Sequence, residues 1–168
     1  FEGFDSSRSF REFRLLGRLL EAGLPVPRPV AAYCHRTGPR LYRAQIIVER
    51  IPGAEVLSDP RFAHCKDTWY RVGEVVRRFH GYGLYHADLN CKNILVTDRQ
   101  VYLIDFDRCE IRKNNTRGER WKRDNLSRLH RSLEKCFSGA EFPVRQRQAM
   151  WGAFLAGYRP SGAAADSA

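Results

Sequence analysis

The stretch from Tyr85 to Asp107 limits this chain more than any other. Two short apolar runs, Ile94–Thr97 and Val101–Ile104, flank Asp98-Arg99-Gln100 and read as a β-hairpin. Asn93 enters the first strand and Asp105 leaves the second, so the hairpin sets both at one end. Asp88 precedes Asn93 by five residues, in His86-Ala87-Asp88-Leu89-Asn90-Cys91-Lys92-Asn93. A carboxylate and an amide oxygen side by side suit Mg2+, which takes hard oxygen donors and usually few protein carboxylates. A further carboxylate at Asp88 is placed to accept a proton as general base. Metal on the phosphates, an acceptor hydroxyl held in line and an exit for its proton are what phosphoryl transfer asks of a protein. A D-x-x-x-x-N alone is common and usually marks a turn. Here it follows a helical segment and His86, enters an apolar strand, and is answered by a second strand ending in Asp-Phe.

The rest of the chain builds around that segment. Residues 9–21 read as a helix with Phe10, Phe13, Leu16, Leu19 and Leu20 at helical spacing, and Ser9 with Glu12 has the form of a capping box. Gly23 and Leu24-Pro25-Val26-Pro27-Arg28-Pro29 end it. Residues 30–34 and 41–50 read as strands, with Ala44–Val48 apolar enough for an inner one. Ile51-Pro52-Gly53 breaks the chain and divides it into residues 1–52 and 53–168. Residues 66–80 form a helix with Trp69, Val72, Val75, Val76 and Phe79 on one side. From 119 onward the chain reads as helical, with Leu126, Leu129, Leu133 and Phe137 on one face and Met150, Trp151, Phe154, Leu155 and Tyr158 on another. The residues from Ser161 read as a frayed tail.

Charge and cysteine content narrow the partners. The chain carries 29 Lys and Arg against 19 Asp and Glu, a net charge of +10, which favours anionic partners. Nine of the cations lie between Arg108 and Arg131: Arg108, Arg112, Lys113, Arg117, Arg120, Lys122, Arg123, Arg128 and Arg131. That stretch reads either as a solvated helix face or as a patch for an anionic acceptor or membrane surface. The five cysteines are scattered, with no C-x-x-C, which argues against a zinc site or disulfide framework. No apolar run approaches the roughly 18 residues of a membrane span. Nothing in the sequence calls for an obligate protein partner, and nucleic acid is not expected.

The catalytic-type segment resembles that of kinase-fold enzymes. More narrowly, Ser9 to about Tyr158 resembles the 3-deoxy-D-manno-octulosonic acid (Kdo) kinases of the lipopolysaccharide core kinase family. The match rests on Arg11–Leu16, Gly23–Pro29, Ile51-Pro52-Gly53-Ala54, Tyr85–Asn90, Tyr102–Asp107 and Asn125–Leu129. The resemblance implies an α+β, protein-kinase-like two-lobe fold with a truncated N-terminal lobe and a mostly helical C-terminal lobe. It implies ATP and Mg2+ as cofactors. It also implies a Kdo-bearing lipid A precursor as acceptor and peripheral placement on the cytoplasmic face of the bacterial inner membrane. By position, Asp88 matches the catalytic base, and Asn93 and Asp105 the metal-holding pair. Glu12 matches the helix glutamate that pairs with a phosphate-binding lysine, and Glu49 to Ile51 the adenine-binding hinge. Glu12 is open to the competing role of capping its own helix, and a side chain tied there cannot reach a lysine. Lys92 is a cation for the transferring phosphate or an acceptor carboxylate, or a solvated loop lysine. His86 and His80 are expected to be structural, the histidine just before Asp88 bracing the loop through backbone, and Trp121 and Trp151 to anchor the core.

Departures from the kinase pattern shape the expectation further. Ala87 stands where many protein kinases carry Arg, and no A-P-E follows Asp105; both favour a small-molecule or glycolipid acceptor. Asp107 replaces the usual Gly and is expected to pair with Arg108 or Arg112. Only about eleven residues precede Glu12, too few for a glycine-rich loop and its lysine. Truncation or degeneracy is expected, with weak nucleotide binding, and the absence of an initiating Met favours truncation. Two other readings compete. One is a kinase-fold enzyme with another acceptor, such as the aminoglycoside or choline phosphotransferases; the other is a catalytically degenerate anion-binding scaffold.

Overall fold

The computed structural model describes residues 7–38, 41–112 and 119–159. The expected tail and part of the basic stretch, Lys113 and Arg117, lie outside the described residues.

Helix α1 (Arg8–Glu21) starts one residue before its expected first turn. Its N-cap is Ser7 rather than Ser9, and the Ser7 side chain makes no capping bond. Ser9 instead donates its hydroxyl to the Tyr33 carbonyl at 3.1 Å. The capping box does not form, because Ser9 already lies inside the helix. Leu15, Leu16 and Leu19 are buried, while Leu20 is 41% exposed, so the apolar face is rotated toward Leu15.

Strands β1 (Pro29–Arg36) and β2 (Tyr42–Val48) form an antiparallel ribbon that packs against α1. The expectation of an inner strand at 44–48 is corrected here. Among the described residues β2 pairs only with β1, and Ile47 is 60% exposed. A two-stranded ribbon leaves alternate side chains facing away from the helix that covers it. β3 (Glu55–Val56), β5 (Ile94–Val96) and β6 (Val101–Leu103) make a second small sheet in the order β3-β5-β6. β4 (Leu84–Tyr85) and β7 (Glu110–Ile111) pair as a third.

Helix α2 (Lys66–Tyr82) runs through the core with Trp69, Val72, Val75, Val76 and Phe79 all buried, as the spacing predicts. Full burial of each such side chain contributes about 1.5–3 kcal/mol, so α2 anchors the elements around it. It stops at Gly83, whose φ of 92° suits the left-handed turn that leads into β4. The helical region after 119 is divided into α3 (Glu119–Cys136) and α4 (Val144–Tyr158). Leu129 and Leu133 are buried from the first, with Phe137 buried just after it, and Met150 and Phe154 from the second. Trp121 is buried and Trp151 half-buried against the core, where it stacks on Phe154 at 4.6 Å. α2 and α4 pack at glycine: a methyl on Gly73 would meet the backbone of Phe154, and Tyr158 N at 2.7 Å.

Candidate active site

The loop after β4 owes its shape to His86, which is 1% exposed. Its Nε2 lies 3.1 Å from the Ile104 carbonyl, and its Nδ1 lies 3.3 Å from the Asp88 N–H. Both bonds hold together only if the ring is neutral, with Nε2–H donating and Nδ1 accepting. Burial pushes the His86 pKa below its ordinary value and keeps it so. The expected bracing role is thus met, and the bond to Ile104 ties the loop to the end of β6. His80 also braces, with Nδ1 2.7 Å from the Tyr158 hydroxyl.

Asn125 of α3 completes the brace, and sequence reasoning gave it no such role. Its Oδ1 accepts from His86 N–H at 3.2 Å and its Nδ2 donates to the His86 carbonyl at 2.9 Å. Asn125 is 1% exposed, so water has little access to either group. The available signal was a lone amide within the apolar pattern of α3. Asn125→Ala would leave a buried donor and a buried acceptor unpaired, at about 1–3 kcal/mol each. Urea denaturation of the variant should show that loss; an unchanged midpoint would mean the loop does not depend on this clamp.

The turn Cys91–Asn93 is capped by Asn90, whose Oδ1 accepts from Lys92 N–H at 2.8 Å and Asn93 N–H at 3.2 Å. The β5–β6 hairpin forms in the expected register, Ile94 opposite Leu103, and Ile104 N–H bonds the Asn93 carbonyl at 3.0 Å. Asn93 and Asp105 are therefore neighbours at one end of it. Asn93 Nδ2 donates to the Asp88 carbonyl at 3.0 Å and reaches Asp88 Oδ2 at 3.4 Å. That fixes which end of the amide is oxygen and leaves Asn93 Oδ1 without a hydrogen bond among the described residues. Asp105 is exposed and has a φ of 62°, a left-handed conformation that Asp tolerates better than most residues. Next to it, Phe106 is buried against Phe79 and His86. An unengaged amide oxygen and an exposed carboxylate fit Mg2+ that draws its other ligands from phosphates and water. Among the described residues no group of three or more His, Cys, Asp or Glu is placed to hold a metal unaided.

Glu12 comes to the same place from α1. Its Oε1 accepts from the Phe106 N–H at 3.2 Å, across 94 residues of sequence. This overturns the capping reading. Burial raises the Glu12 pKa, opposed by the Phe106 N–H and supported by the nearby charges of Asp105 and Asp107. A carboxyl whose folded pKa is raised binds protons more tightly when folded. Its contribution to stability is present below the unfolded pKa and is lost as pH rises through the folded one. In this chain Glu12→Gln is therefore expected to raise the denaturation midpoint at pH 7 relative to the parent, the advantage vanishing as pH falls below the ordinary glutamate range. Melts across pH 4–7 would check this; a variant less stable at pH 7 would refute the sign.

Asp107 was expected to pair with Arg108 or Arg112. Arg108 Nε does lie 3.5 Å away, but the main partner is Arg8 of α1, whose Nε bonds Oδ1 at 2.9 Å and whose Nη2 bonds Oδ2. The Arg8 hydrogen bond lowers the Asp107 pKa. Arg112 is engaged elsewhere, bonding Glu110 at 2.6 Å and lying 3.8 Å over the Tyr85 ring.

Two of the cavities that adjoin these groups bear on the chemistry. The first, about 400 Å³, has apolar walls from Leu16, Ile46, Val48, Leu95 and Ile104, with Glu12 and Asp105 also lining it. Glu49 and Ile51, the expected hinge residues, lie on its rim, so four of the candidate residues converge there. The second, about 580 Å³, is lined by Lys92, Arg128, Arg131 and Lys135 with Asn90 and Ser132. Lys92 thus belongs to this second cavity rather than the first. Arg128 joins it to the loop, its Nη1 3.9 Å from Asp88 Oδ1.

The family model described as "Lipopolysaccharide kinase (Kdo/WaaP) family" matches residues 1–158. A 3-deoxy-D-manno-octulosonic acid kinase of Mannheimia succiniciproducens is 36% identical over 165 residues, covering 95% of this chain and 66% of the relative. One from Stenotrophomonas maltophilia strain K279a is 48% identical over 137 residues, covering 80% of this chain and 53% of the relative. The chain therefore spans just under two thirds of the first relative's length. Among solved structures, WaaP in complex with acyl carrier protein superposes with a TM-score of 0.59 at 20% identity, over 88% of this chain and 66% of that one. The Rio2 kinase of Chaetomium thermophilum, solved with ADP, Mg2+ and phosphoaspartate, gives 0.54 at 14%, over 92% and 60%. At such identities the likeness concerns the fold, which is α+β and protein-kinase-like. The chain belongs to the lipopolysaccharide kinase (Kdo/WaaP) family.

Proposed function

We propose that the natural polypeptide to which this chain belongs transfers the γ-phosphate of ATP to a hydroxyl of Kdo on a lipid A precursor. The observation that carries the reading is the Asp88–Asn93 contact beside Asp105. It joins a solvent-facing carboxylate to an amide whose oxygen is left for metal, and Asp105 lines an apolar cavity of about 400 Å³. Family membership and the relatives' printed activity supply the acceptor class.

Each residue then has a task. Asp88 accepts the proton of the acceptor hydroxyl, and Asn93 restrains the Asp88 loop through its Nδ2. Asn93 Oδ1 and Asp105 would hold Mg2+, which neutralises charge on the phosphates when bound. Backbone at Glu49 and Ile51 would receive the adenine, and Leu16, Val48 and Leu95 would exclude water from its faces. Glu12 would serve as the helix glutamate of kinase folds, held close by its bond to Phe106. On this reading residues 1–52 belong to the N-terminal lobe with its hinge, and residues 53–168 form the C-terminal lobe. No described helix is long and apolar enough to cross a membrane. The enzyme would meet its lipid acceptor from the cytoplasmic face of the inner membrane, with the basic stretch 108–131 toward anionic lipid; Arg108 there is 77% exposed.

The test follows labelled γ-phosphate from Mg-ATP onto a Kdo-bearing lipid A precursor, with the Kdo-free lipid as control. Label appearing only when Kdo is present supports the reading. No label on the Kdo lipid, from protein shown to bind nucleotide, overturns it.

A further inference from the structure

The cavity beside Asp88 is walled by cations on two separate pieces of chain. Lys92 comes from the turn before β5, and Arg128, Arg131 and Lys135 from successive turns of α3. Among the described residues no Asp or Glu lines it. Cations at spacings of three and four along a helix share one face and repel each other when nothing lies between them. A surface helix in solvent has no need to gather four charges around a recess. Arg128 is the most telling of them. Its Nε is buried and has no hydrogen-bond partner among the described residues, while its Nη1 lies 3.9 Å from Asp88 Oδ1. A desolvated guanidinium N–H without an acceptor is costly unless a ligand supplies one.

We propose that this recess is the acceptor's anion subsite: Arg128, Arg131 and Lys135 bind an anionic oxygen group of the acceptor and so hold its hydroxyl at Asp88. This deepens the kinase reading and rests on it for the word acceptor. The geometry suits the task. An oxyanion on the Arg128 guanidinium lies within the span of one sugar ring from the Asp88 carboxylate, and a planar guanidinium pairs with carboxylate or phosphate through parallel N–H bonds. Arg131 and Lys135 continue the positive surface along α3, away from Asp88. The anion has two sources in a sugar-acid glycolipid, the carboxylate of the sugar and the phosphates of the lipid backbone.

The experiment uses the natural polypeptide with Arg131→Gln, Lys135→Gln and the double variant, and measures KM for acceptor, KM for ATP and kcat separately. Three acceptors are compared: the Kdo-bearing lipid, its carboxyl amide and its dephosphorylated form. We expect the double variant to raise the acceptor KM at least tenfold with the ATP KM unchanged. Removing the responsible anion should raise the parent's acceptor KM similarly and add little in the variant, because the two changes break one interaction. Which of the two modified acceptors behaves so identifies the source. An unchanged acceptor KM in folded variants overturns the subsite. Should the parent transfer nothing, the kinase reading fails, and the subsite is judged by calorimetric binding of free Kdo: binding lost in the double variant supports it, binding retained overturns it.

Discussion

Asp88→Asn is expected to lower turnover by about 10²–10⁴-fold, the usual share of a general base. The KM for ATP and the denaturation midpoint should hardly move. The substitution keeps the shape of the side chain and removes its negative charge, and with it its ability to accept a proton. The shorter contacts that hold the loop do not depend on the carboxylate: Asn93 Nδ2 donates to the backbone carbonyl of residue 88 at 3.0 Å, against 3.4 Å to Oδ2, and His86 accepts from its N–H. The charge partner, Arg128 Nη1 at 3.9 Å, meets a side chain that is 60% exposed, and such pairs contribute about 0–1 kcal/mol. Measured on the natural polypeptide, near-parental turnover in a folded variant would remove Asp88 from the role of base. A large drop in stability instead would show that the carboxylate serves the fold.

Gly73→Ala should be among the most damaging single changes to the fold. The added methyl would lie against the Phe154 carbonyl oxygen, 2.7 Å from Tyr158 N and 3.1 Å from Gly157 C. These are backbone atoms of α4, which cannot swing aside as a side chain can. Overpacking of a core costs about 1–3 kcal/mol and more where backbone must shift, so the upper end is expected. Gly157 faces the reverse way, with Tyr70 C at 2.8 Å and Glu74 N at 3.2 Å from a would-be methyl. Gly152→Ala on α4 is the control. It meets nothing within 4 Å, and its helical setting should yield about 0.5–1 kcal/mol of added stability. Urea melts of the pair would decide. Equal midpoints would mean that α2 and α4 do not pack as closely as described.

Much of the site could be read from the chain because its parts are close in sequence. Asp88, Asn93 and Asp105 lie on one loop and one hairpin, and a hairpin's register follows from its turn and its alternation. The apolar face of α2 was legible for a similar reason: helical spacing alone puts Trp69, Val72, Val76 and Phe79 together. Local pattern failed where local and distant partners compete. Ser9 and Glu12 have the spacing of a capping box, yet Ser9 bonds Tyr33 and Glu12 bonds Phe106. The apolar run Ala44–Val48 suggested an inner strand, but a strand's place in a sheet depends on neighbours that its own residues do not specify. Asp107 has two arginines near it in sequence, and its main bond goes to Arg8, 99 residues away.

The sequence by itself determined the hairpin and the neighbourhood of the candidate donors, since both follow from covalent neighbours or from residues at one period, and it indicated the fold class through its resemblance to kinase-fold enzymes. Only the tertiary structure decided that Glu12 reaches the Phe106 N–H, that Asn125 clamps His86, and that Lys92 faces a recess with Arg128, Arg131 and Lys135. Hydrogen bonds and charges act over a few ångströms of space. Which distant residues fall within that range is set by how α1 and α3 pack around the loop, and no spacing along the chain encodes it.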